Sequence, residues 1–204
     1  MFRRMMPRVA SVLLSLTLLF CSAGNALALT QKTLNVPLIK QAKDQWCWAA
    51  SAEMAGSYLY PYIQRNQCAV VRFLCGTSSN PYPNKPAPIW RSADALRYTT
   101  DGHYTVDYVT SSWSFGALTA SVDANQPVMA SAGYYNSAGQ RQGGHMVVIC
   151  GYVYDPNPPY GSIIQNILYN DPWINNNIRV QCSYAGFCDG SVNGRRYDGT
   201  VYVV

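Results

Sequence analysis

The order of hydrophobic and polar positions predicts a helical first half of the chain. The stretch 47–56 is rich in alanine and apolar nearly all round, which is typical of a buried helix. Two further helices are predicted at 68–74 and 89–98 from the spacing of their apolar residues. Residues 76–89 between them are rich in Gly, Ser, Asn and Pro, a composition typical of a loop. Three helices therefore precede the first clear strand.

After about residue 100 the pattern changes to the period of strands. One short helix is predicted at 115–122, and Asn136-Ser137-Ala138-Gly139 is typical of a turn. Helices followed by strands indicate an α+β fold with two segregated layers. We therefore expect a single domain over residues 29–204, with a helical half at about 29–100 and a β half at about 101–204. The predicted strands are 104–109, 128–135, 145–154, 163–169 and 200–204.

The N-terminal segment has the order of charges and apolar residues of an export signal. Three arginines within the first eight residues precede an apolar run from Val9 to Phe20, and small residues follow up to Ala28. A membrane-spanning helix needs roughly 20 apolar residues, so this run is too short to act as one. We expect residues 1–28 to be removed as a signal peptide, with cleavage after Ala26 as the alternative. The mature protein would be secreted or periplasmic, without stable membrane insertion.

Composition and charge narrow the class of protein further. Three of the 15 basic residues and none of the 10 acidic residues lie in the predicted signal peptide, so the mature chain would carry 12 basic and 10 acidic residues. This near balance gives no argument for a nucleic-acid partner. The remaining length is sufficient for one domain with a sizeable core, and we expect a monomer.

The cysteines raise the question of disulfides, which export would permit. Cys182 and Cys188 are predicted to flank a short Gly-containing loop and could bridge locally. Cys68 and Cys75 would lie about 10 Å apart on one continuous helix, too far for a bridge. If the cysteine at the start of the first helix is a free thiol, an odd number remains, and Cys150 is then expected to be free as well. The cysteines beyond the signal segment are Cys47, Cys68, Cys75, Cys150, Cys182 and Cys188.

Two histidines, His103 and His145, are the candidates for a catalytic base. His103 lies in a polar turn, whereas His145 follows Gly143-Gly144 and is predicted to open a strand, where glycines allow close backbone approach. Cys47 begins a predicted helix, whose N-terminus carries partial positive charge and free N–H groups that stabilise a thiolate. Taken singly, each residue has a plain structural interpretation, as a packed histidine or as a buried or bridged cysteine.

Asp171 is the candidate for a third functional group. It lies in Asn170-Asp171-Pro172-Trp173, directly after the strand predicted to end at Tyr169. An acid or amide there could accept the second ring N–H of a histidine and fix its tautomer, and Asn170 is the alternative for this role. An Asp-Pro turn is the structural interpretation. Two histidines and a distant aspartate do not form a zinc signature, so neither metal nor cofactor is expected.

Taken together and in order, these residues resemble the papain-like cysteine peptidases. Gln41 stands six positions before Cys47-Trp48 at a helix start, and His145 and Asp171-Pro172-Trp173 follow, so the resemblance spans about residues 36–173. The Trp-Cys-Trp-Ala-Ala, Gly-Gly-His and Asp-Pro motifs resemble a bacterial branch that includes avirulence effectors of plant pathogens and is related to bacteriocin-processing peptidases. The chain departs from the usual family pattern at Gln45-Trp46, where Gly-Ser is usual, and at Asp171, where Asn is usual.

The resemblance implies a papain-like fold, with the helix of Cys47 packed against an antiparallel β-sheet or half-barrel. It implies an endopeptidase in which Cys47 is the nucleophile, His145 the base, Asp171 the residue orienting the histidine, and Gln41 part of the oxyanion hole. The implied partner is a peptide or protein substrate, with host or competitor proteins as candidates. Two alternatives stay open because fold does not fix function. One is acyl transfer or amide hydrolysis on the same layout, as in transglutaminases or cell-wall amidases, and the other is an inactive, disulfide-linked binding module.

Overall fold

The computed structural model describes residues 29–78, 81–159, 161–173 and 179–204, so the predicted signal peptide lies outside it. In these ranges, no helix is both long and apolar enough to cross a membrane. Five helices and seven strands are present over the same residues, which confirms the α+β class. Their order is β1 Thr30–Thr33, α1 Cys47–Leu59, α2 Gln67–Cys75, α3 Ile89–Thr99, β2 Val106–Val109, α4 Phe115–Asp123, β3 Val128–Tyr135, β4 Arg141–Asp155, β5 Ile164–Asn170, β6 Val180–Ser183, α5 Tyr184–Asp189 and β7 Arg196–Val203.

The strands form one antiparallel sheet in the order β2-β7-β3-β4-β5-β6. Strand β4 is 15 residues long and organises the sheet. Its first part pairs with β3, its last part pairs with β1, and β5 runs along its other edge. The β3–β4 hairpin closes through the predicted turn, where Gly139 has a φ of 76° that favours glycine.

Strand β4 is buried on both faces, which explains its continuous apolar sequence. Met146, Val148 and Cys150 belong to the core beneath the helices α1 to α3. Val147 and Ile149 belong to a second core on the opposite face, which α4 and α5 cover. A strand covered on both faces loses the alternation of polar and apolar residues that marks a solvent-facing sheet.

Helix α1 lies between the sheet and helix α3, and its small residues allow this close packing. A Cβ on Gly56 would overlap the side chain of Thr99 on α3. The Thr99 hydroxyl donates to the Ala52 carbonyl over 3.0 Å. Ser51, fully buried, donates to the Met146 carbonyl of β4 over 3.1 Å. The alanine-rich composition therefore serves a helix enclosed on nearly every side.

Several elements differ from the sequence-based expectations. Strand β4 begins at Arg141, so His145 is its fifth residue and does not open the strand. The reason is that Gly143 and Gly144 continue the ladder with β3. Strands β1 and β6 were not predicted, because each is only four residues long and lacks a fully buried face. Helix α5 was also missed, although the Ser183 side chain caps it by accepting from the Gly186 N–H.

The structure contains no disulfide among the described residues, where all six cysteines are free thiols. Helix α2 runs unbroken from before Cys68 to Cys75, which keeps these two apart. Cys182 and Cys188 lie on β6 and α5 and do not flank a loop. Cys150 is fully buried, and burial raises the pKa of its thiol to about 11, so it stays protonated and unreactive at neutral pH.

Candidate active site

A cleft of about 660 Å³ lies between the start of α1 and one end of the sheet. Its volume is within the range of ordinary ligand and substrate sites. Cys47 and His145 both line it, from opposite walls. The helical wall consists of Asp44, Gln45, Cys47, Trp48 and Pro86–Pro88, and the sheet wall consists of Ser131, Tyr134, Arg141, Gly143–Met146, Trp173 and Arg195.

Cys47 is the first residue of α1 and is half-buried. The flanking indoles of Trp46 and Trp48 are buried, and they donate to the carbonyls of Pro83 and Lys85 over 2.9 and 3.1 Å. These bonds fasten the start of α1 to the loop that forms the cleft wall. No side chain caps this helix start, so its first N–H groups and their partial positive charge are available to an anion in the cleft.

His145 is held by Asp171. Its Nε2 lies 2.6 Å from Asp171 Oδ1, and both side chains are more than nine-tenths buried, with residue exposures of 8% and 6%. Asp171 Oδ1 also accepts from the Trp173 backbone N–H over 2.8 Å. Because Asp171 takes the Nε2 side of the ring, Nδ1 is left for the hydrogen bond between His145 and Cys47.

The electrostatics of this group favour an ionised histidine. Burial alone lowers the pKa of His145, but hydrogen bonds and charge from Asp171 and Cys47 outweigh it and raise the pKa above its usual 6.5. Burial alone raises the pKa of Asp171. The bond to His145, the Trp173 N–H and the charge of Arg195 outweigh this effect and bring the pKa of Asp171 below its usual 3.8. The arrangement can therefore support a thiolate–imidazolium pair with a carboxylate behind it.

Gln41 lies beside this group and does not line the main cleft. Its side chain is buried, and Nε2 donates to the Lys43 and Asp44 carbonyls over 2.9 Å each. Its Oε1 has no hydrogen-bond partner among the described residues. Its backbone N–H donates to the Pro172 carbonyl over 2.9 Å, which joins this segment to the one that carries Asp171.

The segment before α1 is positioned by Gln67 at the start of α2. The Gln67 side chain accepts from the Ala42 N–H over 2.8 Å and donates to the Lys40 carbonyl over 2.9 Å. Its own backbone N–H donates to Glu53 of α1 over 3.1 Å. Gln67 thus fixes both neighbours of Gln41 relative to the helix that carries Cys47, through contacts that sequence spacing did not reveal.

The structure places the other two candidates elsewhere. Asn170 is fully buried, and its Nδ2 donates to the Val36 and Pro37 carbonyls over 3.0 and 3.2 Å. It therefore fastens the segment between β1 and α1 and makes no hydrogen bond to His145. His103 is exposed and stacks on Tyr60 with 4.1 Å between ring centroids, away from the cleft. Of the two residues considered for orienting His145, Asp171 is the one that touches it.

The sheet wall contains a polar cluster that the sequence did not predict. Arg141 Nε lies 2.6 Å from Asp198 Oδ2, and Ser131 Oγ donates to Asp198 Oδ1 over 2.9 Å. Gly133 and Gly144 are register partners beneath this ion pair, and a Cβ on either would overlap its side chains. Gly144 therefore makes room for the Arg141 side chain. The sequence indicated only that glycine allows close backbone approach, whereas the structure shows which side chain occupies the space.

Arg195 is the second cleft residue that sequence reasoning missed. Its Nη1 lies 3.8 Å from Asp171 Oδ2, and its Nε donates to the Tyr134 hydroxyl. It comes from the turn before β7, far along the chain from both partners, and its local sequence carries no signal of this position. No group of three or more His, Cys, Asp or Glu side chains suited to a metal occurs among the described residues.

Comparison with known proteins gives one similar fold and one matching family model. A crystal structure from Bacillus anthracis, provisionally named a C39-like peptidase, matches with a TM-score of 0.57 and 17% sequence identity. The match covers 86% of this chain and 98% of that chain, and at this identity it concerns the fold alone. Residues 33–200 match the model of the Peptidase_C39 like family. No curated protein matches the chain.

These findings define the chain as a papain-like cysteine peptidase, which confirms the resemblance drawn from the sequence. It belongs to the Peptidase C39-like family, whose model spans most of the described residues. Its substrates are therefore peptides or proteins.

Proposed function

We propose that the protein is an exported endopeptidase that hydrolyses peptide bonds through a triad of Cys47, His145 and Asp171. The observation that carries the proposal is the 2.6 Å bond from His145 to Asp171, with the opposite side of the ring directed to Cys47 in the cleft. The nucleophile is hydrogen-bonded to the base, and the base is hydrogen-bonded to the orienting group, which is the spatial arrangement that nucleophilic catalysis requires.

In the proposed reaction, the Cys47 thiolate attacks the carbonyl carbon of the scissile bond. The His145 imidazolium then protonates the leaving amine, which leaves a thioester on Cys47. Neutral His145 next takes a proton from water, which attacks the thioester and releases the second product. Asp171 keeps the imidazole in the tautomer and orientation that both steps need.

Two donors are proposed for the negative charge that develops on the carbonyl oxygen. The first is the Cys47 backbone N–H, at the uncapped start of α1. The second is the Gln41 amide, whose side chain would rotate so that Nε2 leaves the Lys43 and Asp44 carbonyls and faces the substrate. Loss of one such donor typically lowers the rate on the order of 10²-fold.

Export is proposed from the composition of residues 1–28, and it places the mature protein outside the cell or in the periplasm. A secreted peptidase would meet host or competitor proteins as substrates, and we propose that it acts as a monomer. The inactive, disulfide-linked alternative finds no support in the described residues, because Cys47 is a free thiol in contact with His145.

The test is to treat the mature protein with a thiol-directed peptidase inhibitor, map the adduct, and measure peptide cleavage. We expect labelling at Cys47 and loss of both labelling and cleavage in Cys47→Ser. The matched control is Cys68→Ser, which removes an exposed cysteine outside the cleft and should change neither. Cleavage that survives Cys47→Ser would overturn the assignment. Ammonia release or amide transfer without peptide cleavage would favour the alternative acyl chemistry.

A further inference from the structure

We propose that Arg195 is a positioning residue of the catalytic centre, a fourth charged group that balances Asp171 and sets the pH range in which His145 works. The inference rests on the proposed function of Cys47, His145 and Asp171, and it assigns a role to a residue outside the triad.

The geometry places Arg195 on the free oxygen of the triad carboxylate. Asp171 Oδ1 is occupied by His145 and by the Trp173 N–H, whereas Oδ2 faces Arg195 Nη1 at 3.8 Å. The Arg195 side chain is only 18% exposed, so solvent screens this interaction incompletely. Arg195 therefore approaches the carboxylate from the side opposite His145.

Tyr134 keeps the guanidinium in this place. Arg195 Nε donates to the Tyr134 hydroxyl, and the guanidinium carbon lies 4.9 Å from the centroid of the Tyr134 ring. The backbone is fixed as well, since the Arg195 N–H donates to Asn193 Oδ1 over 3.0 Å. An arginine held by a hydrogen bond, a ring and its backbone is pre-organised for one partner.

The charges of the centre explain what Arg195 contributes. In the active state Cys47 is negative, His145 positive and Asp171 negative, so the triad alone has a net charge of −1. Arg195 brings the total to zero, which matters because a net charge in a half-buried site is unfavourable. Proton transfer from Cys47 to His145 leaves this total unchanged, so the contribution of Arg195 is to stabilise the negative charge of Asp171.

The other ionisable groups around the centre are not equivalent to Arg195. Arg141 of β4 is paired with Asp198 of β7, so this couple adds no net charge. Asp44 lies on the exposed loop before α1. Among the described residues, Arg195 is the Lys or Arg side chain within 4.0 Å of Asp171. Over the part of the chain that the structure describes, the ionisable groups around the centre are Cys47 of α1, Asp44 before α1, Tyr134 of β3, Arg141 of β4, Tyr169 of β5, and Arg195 and Asp198 at β7.

The positive charge of Arg195 determines the direction in which the pH midpoint of His145 changes. A cation lowers the pKa of every ionisable group near it, so removing Arg195 should raise the pH midpoint of His145. For unit charges several ångströms apart, the shift is on the order of 0.5 to 1.5 pH units. If Arg195 only held Asp171 in orientation, its loss would release the carboxylate from His145 and the midpoint would fall.

Nuclear magnetic resonance titration of the two histidines tests this directly in the mature chain. We expect the His145 midpoint to rise in Arg195→Gln and to stay near the wild-type value in the charge-preserving Arg195→Lys. Arg196→Gln is the matched control, because it removes a neighbouring but exposed arginine and should leave His145 unchanged. His103, exposed and outside the cleft, serves as the internal reference.

Tyr134→Phe provides a second route if Arg195→Gln does not fold. Tyr134 is 40% exposed, and removing its hydroxyl releases Arg195 Nε. The pH midpoint of His145 should therefore also rise, by a smaller amount than in Arg195→Gln. The pH profile of kcat/KM should move with the titration, both limbs shifting to higher pH. An unchanged or lowered His145 midpoint in the folded variants would overturn the proposal.

The titration separates this proposal from the proposed function, because it needs no peptide cleavage. A rise of the His145 midpoint in Arg195→Gln supports the charge-balancing role, even if Cys47→Ser leaves the activity intact and the triad assignment fails. Loss of cleavage in Cys47→Ser without a His145 shift in Arg195→Gln overturns the role of Arg195 alone.

Discussion

Replacing Asp171 by Asn removes the negative charge behind His145 while keeping an oxygen that can accept from Nε2. The wild-type bond is 2.6 Å long, buried and charge-assisted. Such bonds contribute about 1.5–3 kcal/mol, against about 0.5–1.5 kcal/mol for a neutral bond. The difference of about 1–1.5 kcal/mol corresponds to a loss of roughly 5- to 10-fold in kcat/KM. Asp171→Ala removes the acceptor as well and should cost roughly 10- to 150-fold.

The pH dependence gives the sharper readout of the same variant. In the wild type, Asp171 raises the pKa of His145 against the opposing effect of burial. In Asp171→Asn the carboxylate no longer counteracts the effect of burial, so the pKa of His145 should fall. The alkaline limb of kcat/KM should then move to lower pH. This shift is opposite in sign to the one expected for Arg195→Gln.

The shifted pKa values of His145 and Asp171 predict how the stability of the protein changes with pH. The raised pKa of His145 contributes stability that is complete below 6.5 and is lost as the pH rises through the folded value. The lowered pKa of Asp171 contributes stability that is present above 3.8 and is lost as the pH falls through the folded value. The difference in unfolding free energy between the wild type and Asp171→Asn should therefore be greatest between about pH 4 and 6.5, measured by urea unfolding.

Asp101→Asn is the control for loss of one carboxylate. Asp101 is exposed, pairs with Arg65, and has a φ of 54°, which Asn accepts readily. It should change neither the pH profile nor the rate. If the alkaline limb of Asp171→Asn coincided with that of the wild type, the assignment of Asp171 as the group that raises the pKa of His145 would be refuted.

Three further substitutions probe other parts of the structure. Gly144→Ala places a Cβ against the Arg141 guanidinium, which must move. We expect a cost of about 1–3 kcal/mol in urea unfolding and a higher KM, and a wild-type KM would contradict the role of this wall. Gln41→Ala should lower kcat on the order of 10²-fold with a smaller change in KM, and unaltered kcat would exclude it from the oxyanion hole. Ser51→Ala removes the buried bond to the Met146 carbonyl and should cost about 1 kcal/mol of stability in thermal unfolding without altering the pH profile.

The start of α1 favours a thiolate at Cys47, the proposed nucleophile. Trp46 and Trp48 fasten the helix start to the adjacent loop, and Gln67 fastens the segment before it. The first N–H groups of the helix carry no side-chain cap, whereas α2 and α4 begin with capping Asn66 and Ser114. An uncapped, rigidly held helix start leaves its partial positive charge available to the thiolate.

Local pattern was sufficient where an element's own residues decide its structure. Helix α1 begins at Cys47 as predicted, because its alanine-rich sequence is both helix-forming and small enough to be enclosed. Strand β3 has the predicted bounds 128–135, since a turn and a proline limit the apolar run. The start of β4 was misjudged because Gly143 and Gly144 carry no strand signal of their own, and only pairing with β3 makes them extended.

The ordered set of Gln41, Cys47, His145 and Asp171-Pro172-Trp173 predicted the class of peptidase through its resemblance to a known family, and the family model confirms that class. Which groups surround these residues follows only from the folded chain. Asn170 and Asp171 are neighbours in the chain, yet Asn170 turns towards Val36 and Asp171 towards His145. Arg195 lies 24 positions after Asp171 and approaches it only in the folded chain, where the turn before β7 lies beside the segment after β5. Electrostatic balance depends on such distances through space, and a linear pattern contains no information about them.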